Sequence, residues 1–429
     1  MSSQDKMDKI VSLCKRKGYI FQDSEIYNGL NGFWDFGPLG VELKNNIKRI
    51  WWRDIVHRRE DVAGLDSSII NNPKVWEASG HINSFTDPLV DCRNCKQRFR
   101  ADHLAEDQSI AESEIFEKGQ CPACGKKELT EPKAFNLMFK TFVGPVEQDA
   151  SVAYLRPETC QGIFINYNNI RQSSRLKLPF GIAQIGKAFR NEVNPRNFIF
   201  RSREFEQMEL EWFCYPPRIE EQQSPDDWFE YWKKSRMEWH LKMGIQKDNL
   251  RYRDHEATEL SHYAKAAVDV EYNFPFGGFK ELEGIAYRTD FDLKQHSQVS
   301  GKDMQYFDEQ SGQKFFAHVI EPSLGVDRMA LALICDAYQE DEQEGQTRVY
   351  LKFSPAVAPV KAAVFPLTKD EKLVGMARKI YERLQEDYLV TYDESGSIGR
   401  RYRRQDEAGT PFCITVDFDS SEDQTVTIR

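Results

Sequence analysis

Two C-x-x-C pairs are the first residues whose type and spacing could do chemistry: Cys92 with Cys95, and Cys121 with Cys124, with 25 residues between the pairs. Two such knuckles supply four thiolates in a tetrahedron, the donor set that suits Zn²⁺, and four thiolates leave no open position for catalysis. Pro122 and Gly125 fit the tight turn of a knuckle. The expected metal is therefore structural, although four free or disulfide-bonded cysteines would show the same spacing. The other five cysteines (Cys14, Cys160, Cys214, Cys335 and Cys413) are scattered, unlike a secreted disulfide scaffold.

A second group combines arginines with acids. Phe189-Arg190-Asn191-Glu192 ends one strand-like run, and Phe200-Arg201-Ser202-Arg203-Glu204-Phe205-Glu206-Gln207-Met208-Glu209 leads into the next. Period two puts Phe205, Gln207, Glu209 and Glu211 on one face and Met208, Leu210 and Trp212 on the other; Arg190 and Glu192 also share a face. Such a hairpin offers a guanidinium to a phosphate oxygen, a ring to a base and carboxylates to an ammonium. By composition alone a solvated strand face with salt bridges is the favoured reading, since charged strand faces are common. Farther on, a strand at 315–321 runs through Pro322-Ser323-Leu324-Gly325-Val326-Asp327-Arg328 into a strongly helical 329–335. Arg328 falls in the first turns, where the positive helix end favours anions. Ser323 reads most simply as an N-cap. His81, His103 and His318 have no metal spacing and read as structural; Trp51-Trp52 reads as core or interface.

These residues need elements to carry them. Residues 5–17 predict an amphipathic helix with Met7, Ile10, Val11 and Cys14 on one stripe. Residues 28–38 are dense in turn chemistry, and a second helix follows at about 39–58 with Leu43, Ile47, Ile50, Trp51 and Ile55 inward. The stretch 85–133 is polar, carries the paired cysteines and reads as an insertion. The stretch 216–270, with charges and aromatics at helical spacing, reads as a second, helical insertion. Strand-like blocks at 181–190, 203–213, 280–291 and 315–321 predict an antiparallel sheet flanked by helices, an α+β core. The acidic run 339–345 reads as a linker. Beyond it, strands at 361–365, 388–392 and 412–418 and a helix at 369–385 (Leu373, Met376, Ala377, Ile380 and Leu384 inward) predict a small α/β domain.

The 429 residues, 40% hydrophobic and 12% aromatic, suit a globular protein of two or three domains. No run is long and apolar enough to cross a bilayer, and the polar start lacks a secretion signal, so the cytoplasm is the expected location. The net charge of −10 argues against a general nucleic-acid coat. It leaves room for a local basic surface, for which Arg400, Arg401, Arg403 and Arg404 are candidates.

Taken in order, these segments resemble the class II aminoacyl-tRNA synthetases. Phe189-Arg190-Asn191-Glu192 with Arg201-x-x-x-Phe205-x-x-x-Glu209 is similar to motif 2, Gly325-Val326-Asp327-Arg328 to motif 3, and the helix from Pro38 to about Arg58 to motif 1. Trp34-Asp35-Phe36-Gly37-Pro38-Leu39-Gly40, Arg156-Pro157-Glu158-Thr159-Cys160-Gln161-Gly162, Glu281-Leu282-Glu283-Gly284-Ile285 and Glu321-Pro322-Ser323 resemble segments of the homodimeric glycyl-tRNA synthetases. The resemblance covers essentially the whole chain and favours the substrate hairpin over a solvated face.

It implies a class II α+β catalytic domain over 1–350, with a zinc-knuckle insertion at 85–133 and a helical one at 216–270. It further implies an α/β anticodon-binding domain over 356–429. The segments around Gly399–Arg404 and Gly409–Phe412 carry that last likeness, and the chain stops at what resembles the middle of the domain, which reads as incomplete. The implied activity is ligation: glycine and ATP give glycyl-adenylate and pyrophosphate, and glycine then passes to the 3′ end of tRNA(Gly). Mg²⁺, a structural Zn²⁺, a homodimer through motif 1 and no membrane association go with it.

Residue by residue, the resemblance assigns Arg190 to the α-phosphate, and Arg328 to the adenine and γ-phosphate, as the catalytic pair. Phe205 lies under the adenine, and Glu281 belongs to the ATP and Mg²⁺ site. Asn191, Glu192, Phe200, Arg201, Leu282 and Gly325 complete the ATP pocket. Glu158, Glu209, Glu321 and Ser323 surround the glycine ammonium, with Phe205 and Gln207 beside them. Arg100 reaches the substrate from the inserted region. Cys160 stands where relatives often have alanine. Three rival readings are disfavoured. An inactive synthetase-like nucleic-acid-binding protein would not need Arg190, Phe205, Arg328 and the glutamates together. A sister ligase for proline, threonine or serine does not fit the setting of Glu158 or the Trp34–Gly40 segment. A zinc hydrolase needs an open zinc ligand.

Overall fold

The computed structural model describes residues 3–148, 151–219, 222–343 and 345–429. Helix α1 (Ser3–Lys17) forms where the periodicity predicts it, burying Met7, Ile10, Leu13 and Cys14. Helix α2 (Pro38–Trp52) opens on a proline, whose missing N–H no helix start needs, and runs into a π-helical turn at Arg53–His57. Its predicted face, Leu43, Ile47, Ile50, Trp51 and Ile55, is buried throughout.

The centre is one seven-stranded sheet. Its strands are β1 (Val62–Leu65), β2 (Phe180–Phe189), β3 (Glu204–Cys214), β4 (Leu250–Asp254), β5 (Ala266–Phe274), β6 (Gly278–Thr289) and β7 (His318–Gly325). In space they run β4-β5-β6-β7-β3-β2-β1. Neighbours are antiparallel except β1, which lies parallel to β2. Four further helices matter here: α3 (Cys160–Ser173), α4 (Pro225–Met243), α5 (Phe291–Ser300) and α6 (Val326–Ala337).

The two faces of β3 show how the sheet is loaded. Met208, Leu210 and Trp212 are fully buried in one core with residues of α2, α4 and α6, and Trp212 meets Trp232 of α4 edge-on at 5.4 Å. A side chain of this size contributes about 3–5 kcal/mol relative to alanine. α6 is enclosed on nearly every side, as its apolar run demands. On the opposite face Phe213 joins Phe164, Tyr167 and Leu293 under α3 and α5. Gln207, Glu209 and Glu211 occupy the rest of that face and are buried too, so the solvated-face alternative does not hold.

Two expectations need correction. Among the described residues of the stretch 216–270, Pro225–Met243 is the one α-helix, beside a 3-10 turn at Lys247–Asn249; the remainder supplies β4, the edge strand of the central sheet, and most of β5, the strand beside it. Val268, Val270 and Tyr272 alternate with Asp269 and Glu271 and enter the main core, a period-two signal overlooked among the charges. The helix itself is sharply bounded by a Ser224–Asp227 capping box and by Gly244 at φ +106°. Arg236 Nε and His240 Nε2 each reach Glu283 of β6 at 2.6 Å, with all three side chains inaccessible, so this region belongs to the core. The acidic run at 339–345 is no linker either. Tyr338–Gln343 pairs antiparallel with Gln346–Leu351. Tyr338 and Leu351 are buried at the base, and Arg348 Nε meets Asp341 at 2.7 Å.

The cysteine-bearing region forms a small sheet of Thr86–Asp91 with Arg98–Arg100 and Lys133–Asn136 around its own core of Val90, Leu104, Ile115 and Leu129. Near the C-terminus, Val390–Tyr392, Ala362–Pro366 and Phe412–Val416 are parallel, and Thr427–Ile428 closes the sheet antiparallel. The helices Glu371–Leu384 and Ile398–Ala408 accompany them. The arginines expected to give a basic surface are largely engaged: buried Arg401 donates to the Gly396 and Pro366 carbonyls, Arg403 pairs with Glu407 and Arg404 with Asp393. Among the described residues no helix is long and apolar enough to cross a membrane.

Candidate active site

Two adjoining cavities open on the polar face of the sheet. The first, about 150 Å³, is walled by Arg190, Arg201, Arg328, Phe200, Phe205, Glu192, Glu281, Leu282 and Gly325, among others. The second, about 220 Å³, holds Glu158, Glu209, Glu321 and Arg288. Arg190, Gln207, Glu281 and Ser323 line both.

The hairpin of β2 and β3 places the first group. Arg190 follows β2 directly; its Nε donates to the Pro157 carbonyl at 3.0 Å, and its guanidinium lies 5.4 Å from the ring centres of both Phe205 and Phe85. That hold leaves its terminal nitrogens for an anion. Arg328 sits in the first turn of α6 with Gly325 as N-cap. Its Nε donates to the Phe200 carbonyl at 3.2 Å, its guanidinium covers the Phe200 ring at 4.5 Å, and it pairs with Glu281 at 3.0 Å. Arg328 holds the Glu281 carboxyl below its ordinary range. Arg201 faces Glu192 at 3.6 Å. Asp327 ties the region together: it accepts from Lys44 of α2 at 2.6 Å and from the backbone N–H of Glu206 in β3 at 2.8 Å.

The acid group is more deeply set. Glu209 accepts from four donors: the backbone N–H of Thr159 at 3.0 Å, the Thr159 hydroxyl, Gln207 Nε2 at 2.9 Å and Ser323 Oγ at 2.7 Å. Burial, then the charge of Glu158, nevertheless raises its carboxyl. Burial would raise Glu158 too, yet His81 at 3.3 Å, with Arg288 and the Cys160 thiol, holds it well below the usual range. Glu321 accepts from Arg288 at 2.9 Å. Burial and the nearby Glu209 and Glu158 still raise it from 4.5 to about 7 against that pull. Arg288 also grips Asp292 of α5 through two bonds, at 2.8 and 2.9 Å, and lies over the Tyr263 ring at 3.9 Å. Arg156 pins the Glu158 loop to β2, donating to the Lys187 carbonyl at 2.7 Å. A side chain at Gly186 would come within 2.1 Å of that guanidinium.

Several expectations shift. Ser323 is no helix cap: β7 continues to Gly325, and the hydroxyl serves Glu209 instead. His81 is not merely structural, since it faces Glu158. Arg100 and Asn191 do not line either cavity. Arg100 is held by Asp87 and Asp102, each at 2.6 Å, with Glu192 at 3.9 Å, while the Asn191 backbone N–H meets the Leu137 carbonyl. Arg288, Asp292, Tyr263 and Gln161, which links Glu158 to Asp292 at 3.1 and 3.0 Å, escaped sequence reasoning. The i,i+4 spacing of Arg288 and Asp292 is the one local signal that could have flagged them.

The four cysteines converge with their sulfurs all within 4.8 Å of one another. Cys92–Cys124 and Cys95–Cys121 stand 3.6 and 3.5 Å apart, too far for disulfides. These separations are close to the edge of about 3.8 Å that a tetrahedron with zinc–sulfur bonds of about 2.3 Å requires. The donor set and its spacing fit Zn²⁺.

Residues 145–338 match the family model described as tRNA synthetase class II core domain (G, H, P, S and T), and residues 361–429 match that of the anticodon binding domain. The chain is 55% identical to a glycine–tRNA ligase of Caldanaerobacter subterraneus subsp. tengcongensis, over 99% of this chain and 93% of that one. It is 53% identical to that of Treponema denticola, over 99% and 92%, and 54% identical to that of Alkaliphilus oremlandii, over 100% and 95%.

Proposed function

The chain belongs to the glycine–tRNA ligase family of class II synthetases, and on that premise we propose how its two cavities divide the reaction. The protein activates glycine with ATP and transfers it to tRNA. The observation that carries our division of labour is the shared wall: an arginine-rich cavity for a polyphosphate meets an acid-lined one for an ammonium.

In this reading a glycine carboxylate oxygen attacks the α-phosphorus, the bond to the β-phosphate bridging oxygen breaks, and pyrophosphate leaves. The attacking carboxylate is already ionised at neutral pH, so no general base is required. Arg190 and Arg328 act by positioning and by stabilising charge as it develops, with Phe205 supporting the adenine. Glu281 is the carboxylate that would hold Mg²⁺ together with the nucleotide phosphates, the usual donor set for that ion; bound there, it neutralises phosphate charge. The terminal 3′-hydroxyl of tRNA then attacks the glycyl carbonyl carbon, and AMP departs.

Glu158, Glu209, Glu321 and Ser323 take the ammonium, and Arg288 balances their charge. Alanine is refused sterically, because the acids leave no space at Cα. A methylene alone discriminates by only about 1–3 kcal/mol, so the wall must be stiff, and the four-donor hold on Glu209 supports that. Cys92, Cys95, Cys121 and Cys124 hold a structural zinc. We further assign residues 1–350 to catalysis and 356–429 to the anticodon, and place the enzyme in the cytoplasm. Dimerisation is assigned to α2, which exposes Val41, with the exposed Ile26 and Tyr27 ahead of it in sequence. Glycine-dependent ATP–pyrophosphate exchange, run across the twenty amino acids, tests the central reading: exchange with glycine alone is expected, and none with glycine would refute it. Sedimentation of the purified chain at the dimer mass tests the assembly.

A further inference from the structure

Beneath the acid-lined cavity lies a carboxyl group that the reaction just described does not use. Glu211 is fully buried on β3, two residues past Glu209 on the same face. Neither of its oxygens has a hydrogen-bond partner among the described residues. A carboxylate oxygen of Glu211, one of Glu321 and the Cys160 sulfur lie within 4.8 Å of one another. The charged and titratable groups that act on Glu211 come from five elements: Glu321 of β7, Arg288 of β6, Glu209 of its own strand, Asp292 of α5 and Cys160 of α3. Arg288 is the single cation among them, and it is already committed to Asp292 and Glu321.

Two carboxylates this close, shielded from water, do not both ionise, because desolvation and mutual repulsion act together. The cheapest arrangement is one proton held between the pair. Geometry decides where it rests. Glu321 has Arg288 at 2.9 Å to stabilise its charge, whereas among the described residues Glu211 has no hydrogen-bond donor. We propose that Glu211 is a positioning residue: it carries the proton and points it at Glu321, so that Glu321 stays ionised and oriented toward the substrate ammonium. Burial, with Glu321 next in importance, pushes the Glu211 carboxyl far upward, in keeping with this placement. A neutral acid here also removes one negative charge from a cluster that must stay folded before any ammonium arrives. The inference rests on the assignment of the acid cavity to the glycine ammonium.

Two variants and two readouts test it. Infrared difference spectra of the wild-type protein against Glu211→Gln, at a pH of about 9, where Glu321 at about 7 is ionised while a carboxyl pushed further up by burial still holds its proton, are expected to show the carbonyl stretch of a protonated carboxylic acid that the variant loses. Glu211→Gln keeps a donor toward Glu321 and is expected to hold the glycine KM within about threefold. Glu211→Leu removes the donor and is expected to raise the glycine KM at least tenfold with the ATP KM unchanged. No protonated-acid band, equal damage from both variants, or a parallel rise in the ATP KM would each overturn the proposal. If Glu211→Leu does not fold, the spectra of the other two proteins decide. Because the band requires no glycine, a missing band speaks against Glu211 carrying the proton. Failure of wild-type glycine exchange speaks instead against the cavity assignment.

Discussion

Arg288 is the residue on which the acid cavity's charge balance rests, and replacing it with methionine should reveal how much. Arg288 is 2% exposed, and its guanidinium makes three short bonds, two to Asp292 and one to Glu321. Those partners' side chains are 1% and 9% exposed, so water cannot replace the lost counter-charge. Removing one member of such a buried set costs on the order of 3–5 kcal/mol, a large part of the usual 5–15 kcal/mol of folding stability. Asp292→Asn should be milder, because Arg288 keeps Glu321. In Arg288→Met/Asp292→Asn the second change removes a charge that the first left uncompensated, so the double variant should be more stable than the sum of the singles, by at least about 1 kcal/mol. Urea denaturation of all four proteins, followed by tryptophan fluorescence, measures that coupling. Glycine-dependent exchange in parallel should show a glycine KM raised far more than the ATP KM in Arg288→Met. Additivity within about 0.5 kcal/mol, or an unchanged glycine KM, would refute the reasoning.

Glu321→Gln should trade activity for stability. The folded state binds the Glu321 proton more tightly than the unfolded chain does, since its carboxyl is raised from 4.5 to about 7. The ionised group therefore costs stability above about pH 7 and nothing below 4.5. The variant is expected to be more stable than wild type by on the order of 1–3 kcal/mol at a pH of about 8, a gain that vanishes on acidification, and to lose glycine activation; equal stability at both pH values in denaturant titrations would contradict this. Removing zinc, by chelation or by Cys121→Ser, should unfold the region from Thr86 to Asn136, whose core is too small to stand without a metal. Metal analysis should find about one zinc per chain, and an unchanged proteolysis pattern after stripping would argue against a structural role. Phe205→Leu should raise the ATP KM roughly ten- to hundredfold, the about 1–3 kcal/mol of a stacked base, with a smaller effect on glycine; the reverse order in steady-state kinetics would remove Phe205 from the nucleotide site.

What the chain revealed before folding was whatever is local. The alternation of Met208, Leu210 and Trp212 with Gln207, Glu209 and Glu211 announces a strand with two different faces, and the cysteine pairs carry their ligand spacing within four residues each. The motif segments around Arg190 and Arg328 likewise point to one cavity, which the two side chains do share. The contact of Arg288 with Glu321 was invisible for a physical reason. Arg288 meets Glu321 only through the register that sets Ala286 of β6 opposite Glu321 of β7, and no short window contains both strands. Gln161 meets His296 and Asp292 only because α3 packs beside α5. Strand β5 hid because Asp269 and Glu271, buried on its polar face, blend into a charged neighbourhood in the sequence. Ser323 misled because a serine ahead of a helix is usually its cap, whereas here the strand extends two residues farther.

The wall common to both cavities has a consequence for how long the intermediate stays. In the proposed division the joined product spans both spaces, across the border that Arg190, Gln207, Glu281 and Ser323 line. Each half tethers the other at a local concentration on the order of millimolar or above, so a half that lets go is recaptured before the molecule escapes. Escape thus requires both grips to fail together, and the acylated nucleotide should linger until an accepting hydroxyl arrives. A stable mimic of that joined molecule should for the same reason dissociate far more slowly than either fragment alone.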